Sequence, residues 1–205
     1  MPEDTLDTGI NKPGTNQKVI KKPVQKSKTD VKESLGLVQV YTGTGKGKTT
    51  AALGLSLRAI GKGLKVHMIQ FMKGDIEYGE ITAAKKIDGL VIEQFGRPDF
   101  VTRESTAKVD IEFAQKALER ARELLRNNEC DILILDEINV ALDYNLIAVD
   151  DVISLIQNKP KNIELILTGR YANSRIIEMA DLVTDMQEVK HPYQTGIPAR
   201  DGIEH

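Results

Sequence analysis

The sequence predicts an α/β fold with three layers, in which helices cover both faces of a mostly parallel central sheet of about six strands. Short apolar segments alternate with helical segments throughout residues 37–205. Some strand-like segments, such as Ile-Leu-Ile-Leu at 132–135, are apolar at every position, which is typical of parallel strands that are buried on both faces. Because right-handed crossovers place the loops that follow such strands along one edge of the sheet, we expect the functional residues there.

The predicted elements follow one another in a regular order. Strand-like segments lie at 37–42, 65–71, 90–95, 132–137, 163–169 and 182–189. Helical segments lie at 49–61, 77–87, 110–127, 149–157 and 174–180. Two glycines, at 61 and 63, close the first helix, which is rich in alanine and leucine. The helix at 110–127 is the clearest, because its apolar residues recur at helical spacing with charged residues on the other face. The irregular stretch at 96–108 has the length of a binding loop.

Length and composition indicate a single folded unit of moderate size. The chain has 205 residues and a net charge of −2, which gives no indication of a nucleic-acid partner or an anionic membrane. No apolar run is long enough to cross a bilayer and no apolar signal core is evident, so we expect no membrane association and a cytoplasmic location. Cys130 is the single cysteine, which excludes an internal disulfide and predicts a small buried hydrophobic residue.

Residues 1–36 differ in composition from the rest of the chain. Lysines are scattered there among proline, threonine, asparagine and glutamine, with few apolar residues. Such a segment buries too little apolar surface to offset the entropy lost on ordering. We expect a flexible basic tail, or alternatively a lid that orders over an anionic ligand. The folded domain would then span 37–205.

A glycine-rich turn joins the first predicted strand to the first predicted helix. Its sequence is Thr-Gly-Thr-Gly-Lys-Gly-Lys-Thr-Thr at 42–50. Glycines let the backbone turn its N–H groups towards an anion, and the N-terminus of the following helix adds partial positive charge. Lys48 supplies a charge for phosphate oxygens, and Thr49 supplies a hydroxyl for magnesium. The order of strand, loop and helix predicts a P-loop domain of the RecA-like type that binds a nucleoside triphosphate. Thr42 departs from the common pattern, which has glycine at this position.

Two acidic residues, Asp136 and Glu137, end the wholly apolar strand at 132–137. We expect at least one of them to reach magnesium, directly or through water. The alternative is that the pair caps the helix that follows. Because Glu137 could also position water for attack on a γ-phosphate, a RecA-like P-loop ATPase is the default function from these residues alone.

Polar residues also follow other predicted strands. Lys73 and Glu80 come after the second strand, Arg170 after the fifth and His191 after the sixth. Arg170 would point to where phosphates or ribose lie, although a surface arginine after a strand is common. A lone histidine is more often structural than a ligand, and three histidines without metal-like spacing argue against zinc.

Several motifs together resemble the ATP:corrinoid adenosyltransferases. They are the loop at 42–54, Gln-Phe-Met-Lys-Gly at 70–74, Phe-Gly-Arg-Pro-Asp-Phe-Val at 95–101, Leu-Asp-Glu-Ile-Asn-Val-Ala-Leu-Asp-Tyr at 135–144, Leu-Thr-Gly-Arg at 167–170, Ala-Asp-Leu-Val-Thr at 180–184 and the segment 190–204. The similarity covers about 37–204 and is nearest to the cob(I)yrinic acid a,c-diamide adenosyltransferase type. The motif at 135–144 is highly specific, whereas the P-loop alone is not.

This resemblance implies an unusual reaction in cobalamin biosynthesis or salvage. A reduced cob(I) corrinoid attacks the 5′-carbon of ATP, the 5′-deoxyadenosyl group moves to cobalt, and triphosphate leaves. Family members hold ATP reversed in the P-loop, which would rationalise Thr42. The family also implies Mg²⁺ or Mn²⁺, a reduced flavoprotein as electron donor and a homodimer. The ATPase, and a regulator that binds ATP without turnover, stay open as alternatives.

The resemblance also assigns roles to residues of this chain. The triphosphate would be held by Gly43, Thr44, Gly45, Lys46, Gly47, Lys48, Thr49 and Thr50. Thr49 and Glu137 would hold the metal ion. Asp136 would support the site by orienting these ligands without contacting the ion itself. Lys48, Glu137 and Arg170 are the expected catalytic residues. Further ligand contacts are expected from Lys73, Glu80, Phe100 and His191, with Phe100 in the loop that approaches the corrin.

Overall fold

The computed structural model describes residues 31–74, 77–99 and 101–204. Two expectations fall wholly or largely outside these residues: the tail or lid at 1–36, and the contact of Phe100 with the corrin. Both stay predictions.

Six strands of the described chain form one sheet in which every pair is parallel. They are β1 (Val38–Thr42), β2 (Val66–Phe71), β3 (Leu90–Phe95), β4 (Ile132–Asp136), β5 (Glu164–Thr168) and β6 (Leu182–Asp185), in the spatial order β3-β2-β4-β5-β1-β6. The predicted parallel sheet of about six strands is confirmed. The last strand ends at Asp185 rather than at 189. Its neighbour β1 ends at Thr42, so the carbonyl of the next residue, Met186, accepts a hydrogen bond at 2.6 Å from the N–H of Gly45 in the glycine-rich loop and not from a strand.

The helices connect these strands. They are α1 (Lys48–Ile60), α2 (Gly79–Ala84), α3 (Lys108–Asn127), α4 (Ile138–Asp143), α5 (Val149–Asn158) and α6 (Ser174–Met179), followed by a 3₁₀ turn at Pro192–Thr195. The helix predicted at 77–87 is thus only six residues long. Its apolar face is also incomplete, since none of its residues is buried.

The apolar core consists of two clusters, one on each face of the sheet. Along β4, Leu133 and Leu135 belong to the cluster that contains the buried face of α3, whereas Ile132 and Ile134 belong to the cluster that contains α1 residues. Alternate side chains of a strand point to opposite faces, so both faces of the sheet are covered. The predicted three-layer arrangement is therefore confirmed.

The strand order brings four functional loops to one edge of the sheet. The strands β2, β4, β5 and β1 are consecutive neighbours, so the segments after their carboxyl ends lie side by side. Away from this edge, Cys130 is buried, and burial raises the pKa of its thiol to about 12, which agrees with the predicted hydrophobic role. Within the described chain, no helix has the length and apolar character needed to cross a membrane.

Candidate nucleotide-binding site

The glycine-rich loop after β1 is packed tightly against the segment that follows β6. Gly43 and Gly47 have positive φ angles, of 98° and 118°, which favour glycine. A Cβ on Gly43 would lie 2.2 Å from Oδ1 of Asp185, and a Cβ on Gly45 would lie 2.6 Å from the carbonyl oxygen of Gln187. The loop therefore requires glycine both for its backbone angles and for the close approach of this second segment.

Thr42 is the last residue of β1, and the left-handed turn begins at the next residue, Gly43. The hydroxyl oxygen of Thr42 accepts a hydrogen bond from the N–H of Ala172 at 3.2 Å. A side chain at position 42 thus connects the glycine-rich loop to the loop after β5. This explains locally why the chain tolerates threonine where the common P-loop pattern has glycine.

Lys48 points back into the loop that precedes it. Its Nζ donates hydrogen bonds to the carbonyl oxygens of Gly43 and Gly45, at 2.8 and 2.7 Å. The side chain is largely buried, and this burial lowers its pKa, while the charge of nearby Glu137 acts in the opposite direction. The ammonium is thus held at the centre of the loop, where an anion bound by the backbone would meet it.

Asp136 is completely buried at the end of β4, and four donors satisfy its carboxylate. Oδ1 accepts hydrogen bonds from the hydroxyls of Thr49 and Thr168, at 2.8 and 2.7 Å. Oδ2 accepts from Nζ of Lys73 at 2.9 Å and from Nε2 of Gln70 at 3.3 Å. Asp136 therefore connects β2, β5 and α1, and it orients the hydroxyl of Thr49.

Glu137 differs from its neighbour in having an uncommitted carboxylate. Its N–H donates to Oγ1 of Thr168 at 3.0 Å, but its side-chain oxygens accept no hydrogen bond among the described residues. Burial raises the pKa of Glu137, and the charge of Asp136 raises it further, while Lys73, Lys48 and Arg170 act in the opposite direction. Glu137 also has a φ of 63°, a strained conformation for a residue with a side chain.

Neither acid caps the helix that follows, which was the alternative role expected for this pair. Glu137 immediately precedes α4, but its side chain makes no capping hydrogen bond. Asp136 faces Thr49, Thr168 and Lys73 instead.

The residues that follow β2 contribute further polar side chains to this edge of the sheet. The ammonium of Lys73 lies 5.5 Å from the centre of the Tyr78 ring as well as beside Asp136. Burial lowers the pKa of Lys73, but the hydrogen bond and charge of Asp136, together with the charges of Glu137 and Glu80, outweigh this effect and the net shift is upward. Oε1 of Glu80 accepts a hydrogen bond from Nε2 of Gln70 at 3.2 Å. Lys73 and Glu80 thus belong to one polar network with Asp136.

Two adjoining cavities open above this edge. The first, of about 500 Å³, is lined by Gly45, Lys46, Gly47, Lys48, Thr49, Thr50, Phe71, Met72, Lys73, Tyr78, Pro98, Asp99, Val101, Glu137, Val140, Tyr144, Arg170, Tyr171, His191 and Glu204. The second, of about 620 Å³, has a more apolar wall formed by Leu53, Leu57, Ile60, Ala83, Ile87 and Leu90. Six residues line both cavities: Thr49, Thr50, Lys73, Tyr78, Glu137 and Glu204.

Most of the expected site residues face these cavities. The exposed side chain of Arg170 reaches the first cavity and makes no hydrogen bond or ion pair within the described chain. His191 lines the same cavity, while its Nδ1 accepts a hydrogen bond from the N–H of Tyr193 at 3.2 Å and so caps the 3₁₀ turn. Glu80 lines the second cavity. Gly43 and Thr44 line neither of these two cavities, and Gly43 packs closely against Asp185 and Met186.

Of the four partners of Asp136, Thr49 and Lys73 were expected site residues, whereas Gln70 and Thr168 were not predicted from the sequence. Gln70 and Thr168 are fully buried polar residues in otherwise apolar strands, a pattern that marks a polar side chain with a specific partner. Sequence reasoning also missed Glu204, whose position near the loop could not be deduced from its distance along the chain.

Comparison with known proteins agrees with this geometry. Residues 34–205 match the family described as ATP:corrinoid adenosyltransferase BtuR/CobO/CobP. A corrinoid adenosyltransferase of Sinorhizobium sp. is 39% identical over 190 residues, which cover 92% of this chain and 87% of that protein. A corrinoid adenosyltransferase of Escherichia coli K12 is 31% identical over 191 residues, 92% of this chain and 95% of that protein. The corrinoid adenosyltransferase CobA of Salmonella typhimurium is 30% identical over 189 residues, with coverage of 92% and 95%.

These matches extend across the whole described domain, and they confirm the resemblance seen in the motifs. They do not favour the RecA-like ATPase. The chain belongs to the ATP:corrinoid adenosyltransferase family.

Proposed function

We propose that this protein transfers the 5′-deoxyadenosyl group of ATP to the cobalt of a reduced cob(I) corrinoid and releases triphosphate. One observation supports this most strongly. The glycine-rich loop, the Glu137 carboxylate and Arg170 face a single cavity, in a chain whose residues 34–205 match this family, and neither of these two side chains is paired with another described residue. Such a cavity suits a polyanion together with a cation.

The reaction needs alignment and charge stabilisation more than proton transfer. The electron pair of Co(I) forms the bond to the 5′-carbon of ATP, and the bond from that carbon to the triphosphate oxygen breaks. The bonding pair leaves with the triphosphate, and cobalt changes formally from +1 to +3. The protein must hold the two reactants in line and stabilise the negative charge that develops on the leaving group.

Lys48 and Arg170 are the proposed residues for stabilising that charge. The ammonium of Lys48 is held at the centre of the loop by the carbonyls of Gly43 and Gly45. Arg170 reaches the same cavity from the loop after β5. We assign the binding of the triphosphate to the backbone of the loop, together with Lys46 and Thr50, which line the cavity.

The donor set fits Mg²⁺ or Mn²⁺ at Thr49 and Glu137. Magnesium sites usually combine one or two protein carboxylates with substrate phosphates and water, so a dedicated cluster of acids is not required. The hydroxyl of Thr49 donates a hydrogen bond to Asp136, which leaves its oxygen lone pairs available. The Glu137 carboxylate accepts no hydrogen bond among the described residues. The ion would neutralise phosphate charge. Asp136 acts through Thr49 by fixing its orientation.

Several finer assignments belong to the same proposal. Lys73, Glu80 and His191 are proposed ligand contacts because each lines one of the cavities. Phe100, outside the described residues, is proposed to approach the corrin because the described Pro98, Asp99 and Val101 line the first cavity. A reduced flavoprotein donor and a homodimer are proposed from the resemblance alone.

Product analysis tests the proposal directly. The protein, ATP, magnesium and a chemically reduced corrinoid should yield inorganic triphosphate and a light-sensitive alkylcobalt product in equal amounts. A reaction without corrinoid is the control. Production of ADP and phosphate, independent of the corrinoid, would support the ATPase instead. Tight binding of ATP without either product would support a nucleotide-binding regulator.

A further inference from the structure

The segment that follows the 3₁₀ turn contains a small closed turn at residues 200–204. The carboxylate of Glu204 accepts hydrogen bonds from the N–H, Nε and Nη2 of Arg200, at 2.9, 3.1 and 2.9 Å. In return, the N–H groups of Ile203 and Glu204 donate to the carbonyl oxygen of Arg200, at 3.1 and 3.0 Å. Five hydrogen bonds therefore close turn 200–204, all of them involving Arg200, Glu204 or both. Asp201 is the third charged residue of the turn.

Turn 200–204 is attached to the glycine-rich loop, although more than 150 residues separate them in sequence. Nζ of Lys46 donates a hydrogen bond to the carbonyl oxygen of Ile203 at 3.2 Å, across 157 positions of the chain. Gly202, Ile203 and Glu204 line the second cavity, and Glu204 lines the first as well. The turn thus lies where the two cavities meet.

The charges of the turn matter because a polyanion is expected beside it. The pairing with Arg200 lowers the pKa of Glu204 to about 2, so this carboxylate is ionised at physiological pH. Facing a triphosphate alone, the carboxylate would repel it. When the turn is closed, the guanidinium of Arg200 offsets the charge of Glu204, and the ammonium of Lys46 lies beside the turn, which also contains the acid Asp201.

We propose that turn 200–204 positions Lys46 over the glycine-rich loop for binding of the triphosphate, with Arg200 and Glu204 acting as positioning residues. The carbonyl of Ile203 holds the otherwise exposed Lys46 side chain in place, which reduces the entropy that this long side chain loses when phosphate binds. Closure of the turn and binding of the triphosphate are then coupled, and each favours the other. The inference rests on the proposed function only in taking triphosphate as the ligand.

A double-mutant cycle with inorganic tripolyphosphate tests this coupling. Isothermal titration calorimetry would compare the wild type, Arg200→Ala/Glu204→Ala, Lys46→Ala and the triple variant. The paired substitution leaves the net charge unchanged and opens the turn. We expect it to weaken binding about five- to tenfold in the wild type, the effect of roughly one ordinary hydrogen bond, and less than about twofold in the Lys46→Ala background.

A matched control uses another exposed pair, Arg175 and Asp150, whose side chains lie 2.7 Å apart and line neither cavity. Arg175→Ala/Asp150→Ala should leave the affinity unchanged in both backgrounds. Equal losses for the turn variant with and without Lys46, or no loss at all, would overturn the inference. Thermal unfolding of every variant shows whether any of them is misfolded.

Hydrogen exchange gives a second measurement that does not depend on turnover. Tripolyphosphate should slow the exchange of the amides of Ile203 and Glu204 in the wild type and leave it unchanged in Lys46→Ala. Unchanged exchange in the wild type would contradict the coupling. Because both experiments measure binding, a protein that shows the coupling but forms no alkylcobalt product refutes only the proposed function. A protein that forms the product without the coupling refutes only this inference.

Discussion

At the level of single residues, the adjacent acids Asp136 and Glu137 are distinguished by their partners. Asp136 is fully buried and accepts four hydrogen bonds, so its carboxylate has little capacity left for a ligand. Glu137 is bound by no side chain of the described residues and has a strained backbone, a combination that is common at functional sites. The two carboxylates are therefore suited to different tasks, one to orienting neighbours and one to holding a ligand.

Lys48 has both a structural and a proposed catalytic role. We expect its substitution to affect the rate of adenosyl transfer much more than the stability of the fold. We expect Lys48→Ala to reduce adenosyl transfer by at least about 100-fold, since a preorganised charge on the leaving group is lost. Loss of the hydrogen bonds to Gly43 and Gly45 should lower the free energy of unfolding by only about 1–2 kcal/mol. Turnover assays and urea unfolding measure the two effects. Lys62→Ala, at an exposed position in the chain, is the control, and near-normal turnover of Lys48→Ala would contradict the assignment.

At the level of elements, the loop after β1 is shaped by a segment distant in sequence. The N–H of Gly45 donates to the carbonyl of Met186 at 2.6 Å, and the space beside Gly43 is filled by Asp185 and Met186. The glycines are therefore required by contacts with the segment after β6 as well as by the turn itself.

Two glycine substitutions test this contact. Gly43→Ala should destabilise the protein by more than about 2 kcal/mol and abolish ATP binding, because its φ is 98° and its Cβ would lie 2.2 Å from Asp185. Gly54→Ala, inside α1 with no atom within 4 Å of the new Cβ, should stabilise the protein by about 0.5–1 kcal/mol. Chemical unfolding and ATP titration measure both variants. Similar stabilities for the two would contradict the packing argument.

The loop between β3 and α3 is anchored at its base by an ion pair. Nε and Nη2 of Arg97 donate to the two carboxylate oxygens of the buried Asp110, at 2.8 and 2.9 Å. The N–H of Ala107 donates to the same carboxylate at 2.8 Å. Burial raises the pKa of Asp110, but the bonds from Arg97 and Ala107 outweigh this effect, so the net shift is downward from 3.8.

This shift predicts how acid affects the anchor. Because the pKa of Asp110 is lower in the folded protein, the anchor stabilises the fold above the unfolded value and loses this effect as the pH falls through the folded value. Arg97→Ala should therefore lower the melting temperature by a few degrees at pH 7. The difference from the wild type should shrink as the pH falls below about 3.8. Calorimetry between pH 2 and 7 measures this, and a constant difference would contradict it.

At the level of the whole molecule, the site exists only in the folded sheet. The polar residues of the site come mainly from the segments after β1, β2, β4 and β5, which the sheet order places side by side. The segments after β3 and β6 add Pro98, Asp99, Val101, His191 and Glu204 to the cavity wall. An unfolded chain has no such arrangement, so a ligand of this site binds the native state alone.

Binding should therefore stabilise the whole domain by mass action. Tripolyphosphate at 100 times its dissociation constant should raise the free energy of unfolding by about 2.7 kcal/mol, which thermal unfolding at increasing ligand concentration detects. Lys48→Ala should show a much smaller increase at the same concentration. Sulfate at matched ionic strength controls for non-specific salt effects, and an equal stabilisation by sulfate would argue against a specific triphosphate site.

The parallel three-layer sheet, the glycine-rich loop, the acidic pair after β4 and the family could all be predicted from the amino-acid sequence. These features depend on apolar patterns and motifs within short segments, and such patterns are visible along the chain. The folded structure was needed to show that Asp136 accepts four hydrogen bonds while the Glu137 carboxylate accepts none among the described residues, and that Thr42 is bonded to Ala172. It alone also brought turn 200–204 to Lys46. These are contacts between residues far apart in the chain, so they depend on how the strands and loops pack together, and no local pattern contains that information.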